Sequence, residues 1–135
     1  MDSTIGKRLV LVIEDDRQLL LAMAQAFTRA GARVVTAADG VHGLRSFMSE
    51  TPDLVVTDII MPEREGIETI LAMKAARPEV PILAVSGGGH TPAREFLMLA
   101  KGLGADVVLA KPFRAHQLID AASQLITLSP LDAAA

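Results

Sequence analysis

The chain has 135 residues and a formal net charge of -3, which fits one compact domain and argues against a nucleic-acid surface, since such surfaces carry a basic excess. It contains no Cys, which excludes disulfides, thiol chemistry and zinc sites that need Cys. Half of its residues are hydrophobic (50%), so the chain can bury a hydrophobic core. No apolar stretch approaches the ~20 residues of a membrane helix, and no signal-peptide pattern is present. We therefore expect a cytoplasmic protein without a membrane partner.

In the first half of the chain, apolar strands alternate with amphipathic helices. Residues 9–13 form a continuous branched run, as expected of a strand buried on both faces of a sheet. A first helix follows with Gly31 as its C-terminal cap, and residues 33–36 predict a short edge strand. Asp39 is placed to cap the start of a second helix. The apolar stripes comprise Leu20, Met23, Phe27 and Ala30 in the first helix and Val41, Leu44, Phe47 and Met48 in the second.

The second half repeats this alternation three times. One helix is closed by Arg77 and Pro78, another is predicted over residues 92–103 with Gly104 beyond its end, and the last extends to about Thr127. The three strands cover residues 54–57, 82–85 and 107–109. The apolar stripe of the helix between the first two of these strands comprises Ile67, Ile70, Leu71 and Lys74, and that of the last helix comprises Leu118, Ile119, Ala122, Leu125 and Ile126.

Five strands alternating with five helices imply an α/β fold in which helices cover both faces of a parallel sheet. The crossovers between parallel strands are expected to be right-handed. We therefore predict a doubly wound, flavodoxin-like (βα)5 fold with five parallel strands in the order 2-1-3-4-5.

Polar side chains follow four of the predicted strands. Residues 14–16 (Glu-Asp-Asp) come after the first strand, Asp58 after the third, Ser86 after the fourth and Lys111 shortly after the fifth. In an open parallel sheet the site lies outside the C-terminal ends of the strands. The predicted strand order would therefore bring a carboxylate cluster, a hydroxyl and an ammonium into one pocket.

Each of these groups has a chemical use in such a pocket. Neighbouring carboxylates repel one another, which favours a divalent cation or raised pKa values, and their hard oxygens suit Mg²⁺. One carboxylate beside that ion can attack phosphorus as a nucleophile. A lysine can stabilise the charge on the transferring oxygens, and a serine hydroxyl can hydrogen-bond one of them.

Three segments resemble the motifs of response-regulator receiver domains of the CheY-like superfamily. Residues 11–16 (LVIEDD) are similar to the acidic opening of that family, and residues 52–62 (PDLVVTDIIMP), followed by Gly66, resemble its phosphoacceptor segment. Residues 104–106 (GAD) and 111–113 (KPF) resemble its closing segment. The motifs occur in the family's order along almost the whole chain, and this combination is specific.

The resemblance implies that Asp58 accepts a phosphoryl group from a histidine kinase or a histidine phosphotransfer protein. Glu14, Asp15, Asp58 and the main-chain carbonyl of Ile60 would hold Mg²⁺. The chain would be a signalling switch in a two-component phosphorelay, and not an enzyme beyond its own phosphoryl transfer and dephosphorylation. Its output would be contact with a downstream protein, without a nucleic-acid partner.

The resemblance also assigns the remaining site residues and the domain limits. Ser86 would be the switch hydroxyl, and Lys111 would bind the phosphoryl oxygens and precede a cis bond to Pro112. The receiver domain would occupy residues 8–127, between an N-terminal tail (residues 1–7) and a C-terminal tail (residues 128–135). Because no linker to another domain is visible, we expect a stand-alone receiver.

Two departures from the family leave an alternative open. Val108 stands where receivers often carry an aromatic residue, and three glycines (residues 87–89) follow Ser86. Both are compatible with a degenerate receiver that binds proteins without being phosphorylated. Two other functions fit worse: the segment 84–88 lacks the first glycine of a serine-hydrolase nucleophile elbow, and a chain without Trp or Tyr lacks the usual stacking partners of a flavin.

Overall fold

The apolar runs form one five-stranded parallel sheet. The computed structural model describes residues 7–59, 65–87, 98, 101–102 and 104–128. The strand order is β2-β1-β3-β4-β5, every neighbouring pair is parallel, and β2 lies at an edge, so the predicted fold class is confirmed. The strands are β1 (Leu9–Ile13), β2 (Arg33–Ala37), β3 (Leu54–Asp58), β4 (Ile82–Gly87) and β5 (Val107–Lys111).

Four helices complete the described part of the fold. The helix predicted over residues 92–103 lies largely outside the described residues, although Met98, Lys101 and Gly102 within it are helical. The last helix ends at Ser123, before the predicted limit. The chain turns there, and the N–H groups of Leu125 and Ile126 both donate to the carbonyl oxygen of Ala122. The helices are α1 (Arg17–Arg29), α2 (Gly40–Glu50), α3 (Glu65–Ala76) and α4 (Ala115–Ser123).

The core has two main layers, one on each face of the sheet. Alternate residues of a strand point to opposite faces, so Val10 and Val12 of β1 pack under α1 and α4, whereas Leu11 and Ile13 pack under α2 and α3. Burial on both faces is the reason for the continuous apolar run in β1. Leu128 is also buried in the layer of α1 and α4.

The apolar stripes predicted for α2 and α3 were partly wrong. Val41 and Met48 are 62% and 50% exposed, and Leu71 of α3 is 48% exposed. Phe47 of the predicted stripe is buried and Leu44 is partly buried, and the buried face also includes Gly43, where α2 lies so close to β1 that a Cβ would be 2.4 Å from the Ile13 side chain.

Polar side-chain contacts join the helices and strands at the end of the sheet where β4 and β5 begin. The Arg77 guanidinium donates to the carbonyl oxygens of Phe47 (2.7 Å) and Met48 (3.0 Å), close to the end of α2, and lies over the Phe47 ring. Lys74 Nζ lies 2.9 Å from Asp106 Oδ2, which also accepts from the Ile82 N–H. These contacts hold α2, α3, β4 and β5 together at the edge opposite the predicted site. No helix in the described ranges has the length and apolar character that crossing a membrane requires.

Candidate functional site

The C-terminal edge of the sheet brings the predicted polar residues together. Glu14 directly follows β1, Asp58 and Lys111 are the last residues of β3 and β5, and Ser86 lies in β4. The strands extend slightly further than predicted and contain three of these residues. Main-chain pairing aligns Asp58 with Val85, the residue before Ser86.

Lys111 forms ion pairs with two buried carboxylates at the C-terminal ends of the strands. Its Nζ donates to Glu14 Oε1 at 2.8 Å and to Asp58 Oδ2 at 2.7 Å. Glu14 and Asp58 are 1% and 3% exposed, and the Lys111 side chain is 19% exposed. Burial tends to lower the pKa of Lys111, but the hydrogen bonds to Asp58 and Glu14 outweigh it, so that the pKa is raised above its usual value. The ammonium therefore stays charged near neutral pH.

Glu14 has the most perturbed acidity in the site. Burial raises its pKa from 4.5 to about 7, against the lowering effects of the hydrogen bonds from Lys111 and from the Asp16 N–H, and the charge of Asp58 raises it further. One lysine thus leaves the buried carboxylates undercompensated near neutral pH. A further cation at this position would relieve the imbalance.

The carboxylates are close enough together to bind one ion. Oxygen atoms of Glu14, Asp15 and Asp58 all lie within 4.8 Å of one another, and Asp15 is exposed to solvent. Hard oxygen donors of this kind, partly open to water, fit Mg²⁺, which takes few carboxylates and keeps several waters. Ile60, the predicted carbonyl ligand, lies outside the described residues. Asp16 instead caps α1, where its Oδ1 accepts from two backbone N–H groups.

Ser86 offers an unsatisfied polar group at the same edge. The residue is 2% exposed, and its Oγ has no hydrogen-bond partner among the residues that the structure describes. A buried hydroxyl without a hydrogen-bond partner is unfavourable. An acceptor group that binds at the C-terminal ends of the strands could therefore accept a hydrogen bond from Ser86 Oγ. Gly88 and Gly89, which follow in the predicted loop, lie outside the described ranges.

Residues near Lys111 in the sequence pack against the apolar core. The Lys111–Pro112 peptide bond is cis, as the resemblance implied. Phe113 packs, partly buried, against the core layer of α1 and α4. Val108, which occupies the position of the expected aromatic residue, packs with Ile59 in a small third cluster. This apolar cluster therefore includes β4 and the residue after Asp58, with Val108 of β5 packed against it.

Sequence reasoning missed two neighbours of the Asp58 main chain. The buried Thr57 hydroxyl donates to the Asp58 carbonyl oxygen at 3.2 Å, although a threonine in a strand carries no particular signal. Gly66 of α3 lies so close to the end of β3 that a Cβ on it would be 2.5 Å from the carbonyl oxygens of Asp58 and Ile59. The sequence marks Gly66 as the glycine that follows the phosphoacceptor segment and that lies near the start of a helix, where glycine is otherwise unfavourable, but neither signal reveals this close approach.

Comparison with known sequences gives a consistent result. The sequence model of the response regulator receiver domain matches residues 10–123. The chain is 31% identical over 146 residues to the transcriptional regulatory protein PrrA of Mycobacterium tuberculosis, covering 98% of this chain and 61% of PrrA. It is 31% identical over 110 residues to the alkaline phosphatase synthesis transcriptional regulatory protein PhoP of Bacillus subtilis, covering 81% and 44%. The chain thus spans about half the length of these relatives, and the absence of a nucleic-acid partner stays a prediction.

Solved structures show the same architecture. A response regulator receiver domain protein from Clostridium thermocellum superposes with a TM-score of 0.80 at 29% identity, covering 88% of this chain and 94% of that one. The chemotaxis protein CheY4 of Vibrio cholerae gives 0.80 at 25% identity, covering 90% and 100%. The similarity therefore extends over nearly the whole of both chains.

Proposed function

Because the chain belongs to the response regulator receiver domain family, we propose that it is a phosphorylation switch that accepts a phosphoryl group on Asp58. The observation that carries this proposal is the setting of the Asp58 carboxylate. It is buried at the C-terminal edge of the sheet, contacts the Lys111 ammonium at 2.7 Å and shares an acidic cluster with Glu14 and Asp15.

In the transfer step, an Asp58 carboxylate oxygen attacks the phosphorus of the donor. A new O–P bond forms while the P–N bond of a phosphohistidine breaks, and the imidazole keeps the electron pair. The Lys111 ammonium is placed to stabilise the negative charge of the phosphoryl oxygens. The donor would be a histidine kinase or a histidine phosphotransfer protein, as the family membership suggests.

Glu14, Asp15 and Asp58 would hold Mg²⁺ with the carbonyl of Ile60. When bound, the ion would neutralise charge on the phosphoryl oxygens as a Lewis acid. The carboxylates supply hard donors, and a cation bound beside Glu14 would lower the pKa that burial raises. Asp15, the exposed member, leaves part of the site open to water and to the donor.

Phosphorylation would be sensed by Ser86 and Lys111. New phosphoryl oxygens offer an acceptor to the unsatisfied Ser86 Oγ and compete with Glu14 for the Lys111 ammonium. These movements would bias the ends of β4 and β5 between two arrangements and so alter binding of a downstream protein. Val108 and the cluster of Ile59 and Ala84 against which it packs would take the place of an aromatic switch.

Acetyl phosphate with Mg²⁺ tests the proposal directly, with intact mass as the readout. We expect the wild type to gain one phosphoryl group and Asp58→Asn to gain none. Asp53→Asn is the matched control, because Asp53 lies at the opposite edge, where its Oδ2 accepts from the Leu9 N–H; it should be modified like the wild type. An unmodified wild type that also binds no Mg²⁺ would favour the degenerate receiver instead.

A further inference from the structure

Gly66 makes an unusually close approach to the main chain of the proposed phosphoacceptor. A Cβ built on Gly66 would lie 2.5 Å from the Asp58 carbonyl oxygen, 2.5 Å from the Ile59 carbonyl oxygen and 2.8 Å from the Ile59 carbonyl carbon. These are backbone atoms, which cannot turn away as the end of a side chain can. The α-hydrogen that replaces Cβ therefore points at two carbonyl oxygens, a geometry that suits weak Cα–H···O contacts.

The peptide facing Gly66 is held from its other side as well. The Ile59 N–H donates to the Val85 carbonyl oxygen of β4 at 3.0 Å. The Ile59 side chain is 2% exposed and packs with Ala84 and Ala105. The end of β3 thus lies between β4 and the first turn of α3, and a shift of β3 away from position 66 would disturb its contacts with β4.

We propose that Gly66 is a positioning residue for the Mg²⁺ and phosphoryl site, acting through the main chain of Asp58 and Ile59. The inference rests on the proposed function. A methyl group at position 66 would force the start of α3 and these carbonyls apart by about half an ångström or more. That displacement would be passed to the Asp58 carboxylate, which now lies 2.7 Å from Lys111 Nζ, and metal sites are sensitive to changes of this size in their supporting groups.

Two other glycines provide matched controls for Gly66→Ala. A Cβ on Gly43 would be equally crowded, at 2.4 Å, but against the Ile13 side chain and not against the main chain of the site. A Cβ on Gly102 would meet nothing within 4 Å. Gly43→Ala therefore reproduces steric crowding in the fold, and Gly102→Ala reproduces the change of residue type alone.

Mg²⁺ affinity, measured by calorimetry on the purified protein without any phosphodonor, separates positioning from stability. We expect Gly66→Ala to weaken Mg²⁺ binding about tenfold or more, whereas Gly43→Ala lowers the urea midpoint of unfolding but keeps the affinity within about twofold. Gly102→Ala should change neither. Equal Mg²⁺ affinity in Gly66→Ala and the wild type would overturn the inference while leaving the proposed function intact; a wild type that binds no Mg²⁺ would overturn both.

The wild type gives a second readout that does not depend on the folding of a variant. Because Gly66 lies directly beside the carbonyls of Asp58 and Ile59, Mg²⁺ bound at the site should change the environment of its α-protons and shift them in NMR spectra during a Mg²⁺ titration. Those of Gly102 should stay unchanged. Saturation with Mg²⁺ without any shift at Gly66 would contradict the positioning role, whatever the behaviour of the variants.

Discussion

Replacing Lys111 with methionine should make the stability of the protein depend strongly on pH and on Mg²⁺. Lys111 Nζ contacts Glu14 at 2.8 Å and Asp58 at 2.7 Å, and both carboxylates are almost fully buried. Removing one partner of a buried ion pair costs about 3–5 kcal/mol. Because the Lys111 side chain is 19% exposed, water screens part of this loss, and we expect about 2–3 kcal/mol at pH 8.

The raised pKa of Glu14 sets the pH range of this effect. A carboxyl whose folded pKa lies above its unfolded value contributes stability that is present below the unfolded value and is lost as the pH rises through the folded value. For Glu14 these values are 4.5 and about 7. At pH 5 Glu14 is protonated in both the wild type and Lys111→Met, so the substitution there removes mainly the contact with Asp58, and we expect a smaller loss of about 1 kcal/mol.

Urea unfolding at pH 5 and pH 8, with and without Mg²⁺, measures this prediction. Lys74→Met is the matched control, since Lys74 has the same side-chain exposure of 19% and pairs with Asp106 at 2.9 Å at the other edge of the sheet. It should lose about 1–2 kcal/mol at both pH values, with no effect of Mg²⁺. In Lys111→Met, Mg²⁺ should recover much of the loss at pH 8. The same pH and Mg²⁺ response in both variants would refute the reasoning.

Two further predictions concern α2. Asp39 caps this helix through the His42 N–H at 2.8 Å, so Asp39→Ala should cost about 1 kcal/mol near neutral pH. The hydrogen bonds from the His42 main chain and ring lower the Asp39 pKa. The cost of Asp39→Ala should therefore disappear as the pH falls through the lowered value. Urea midpoints of the variant that stayed parallel to those of the wild type across a pH series would contradict this. Arg77→Ala, which loses two hydrogen bonds to carbonyls of α2 and a ring contact, should cost about 1–2 kcal/mol. Arg77→Lys, which keeps the charge but not the paired donors, should recover less than half of that loss by the same urea measurement.

The central strands could be predicted from the sequence because β1 and β3 are buried along their whole length. Residues 9–13 are all apolar and all buried, a pattern that period and composition reveal directly. Helix faces were harder, since a hydropathy pattern gives no weight to glycine. At Gly43, the lack of a side chain allows α2 to contact Ile13, and this contact leaves Val41 and Met48 exposed. The end of α4 was placed too late because Leu125 and Ile126 still pack, partly buried, on the core after the helix has ended.

The carboxylates and the lysine of the site were predictable because strand ends are predictable. Once the strand order is known, Glu14, Asp58 and Lys111 must meet at one edge of the sheet. The contacts of the Asp58 main chain could not be predicted from the sequence. The close approach of Gly66 depends on the distance between α3 and the end of β3. Hydropathy and motif spacing do not contain that distance. The raised pKa of Glu14 likewise depends mainly on its burial in the folded chain, which the residues around it in sequence do not give.

Locating the phosphoryl group on the chain tests the central claim most directly. After incubation with Mg²⁺ and acetyl phosphate, borohydride reduction would convert an aspartyl phosphate to homoserine, and the tryptic peptide 46–64 contains both Asp53 and Asp58. Fragment masses of that peptide distinguish the two positions. We predict homoserine at position 58 alone; homoserine at position 53, or at residue 15 or 16 in another peptide, with position 58 unchanged, would contradict the assignment of Asp58 as the phosphoacceptor.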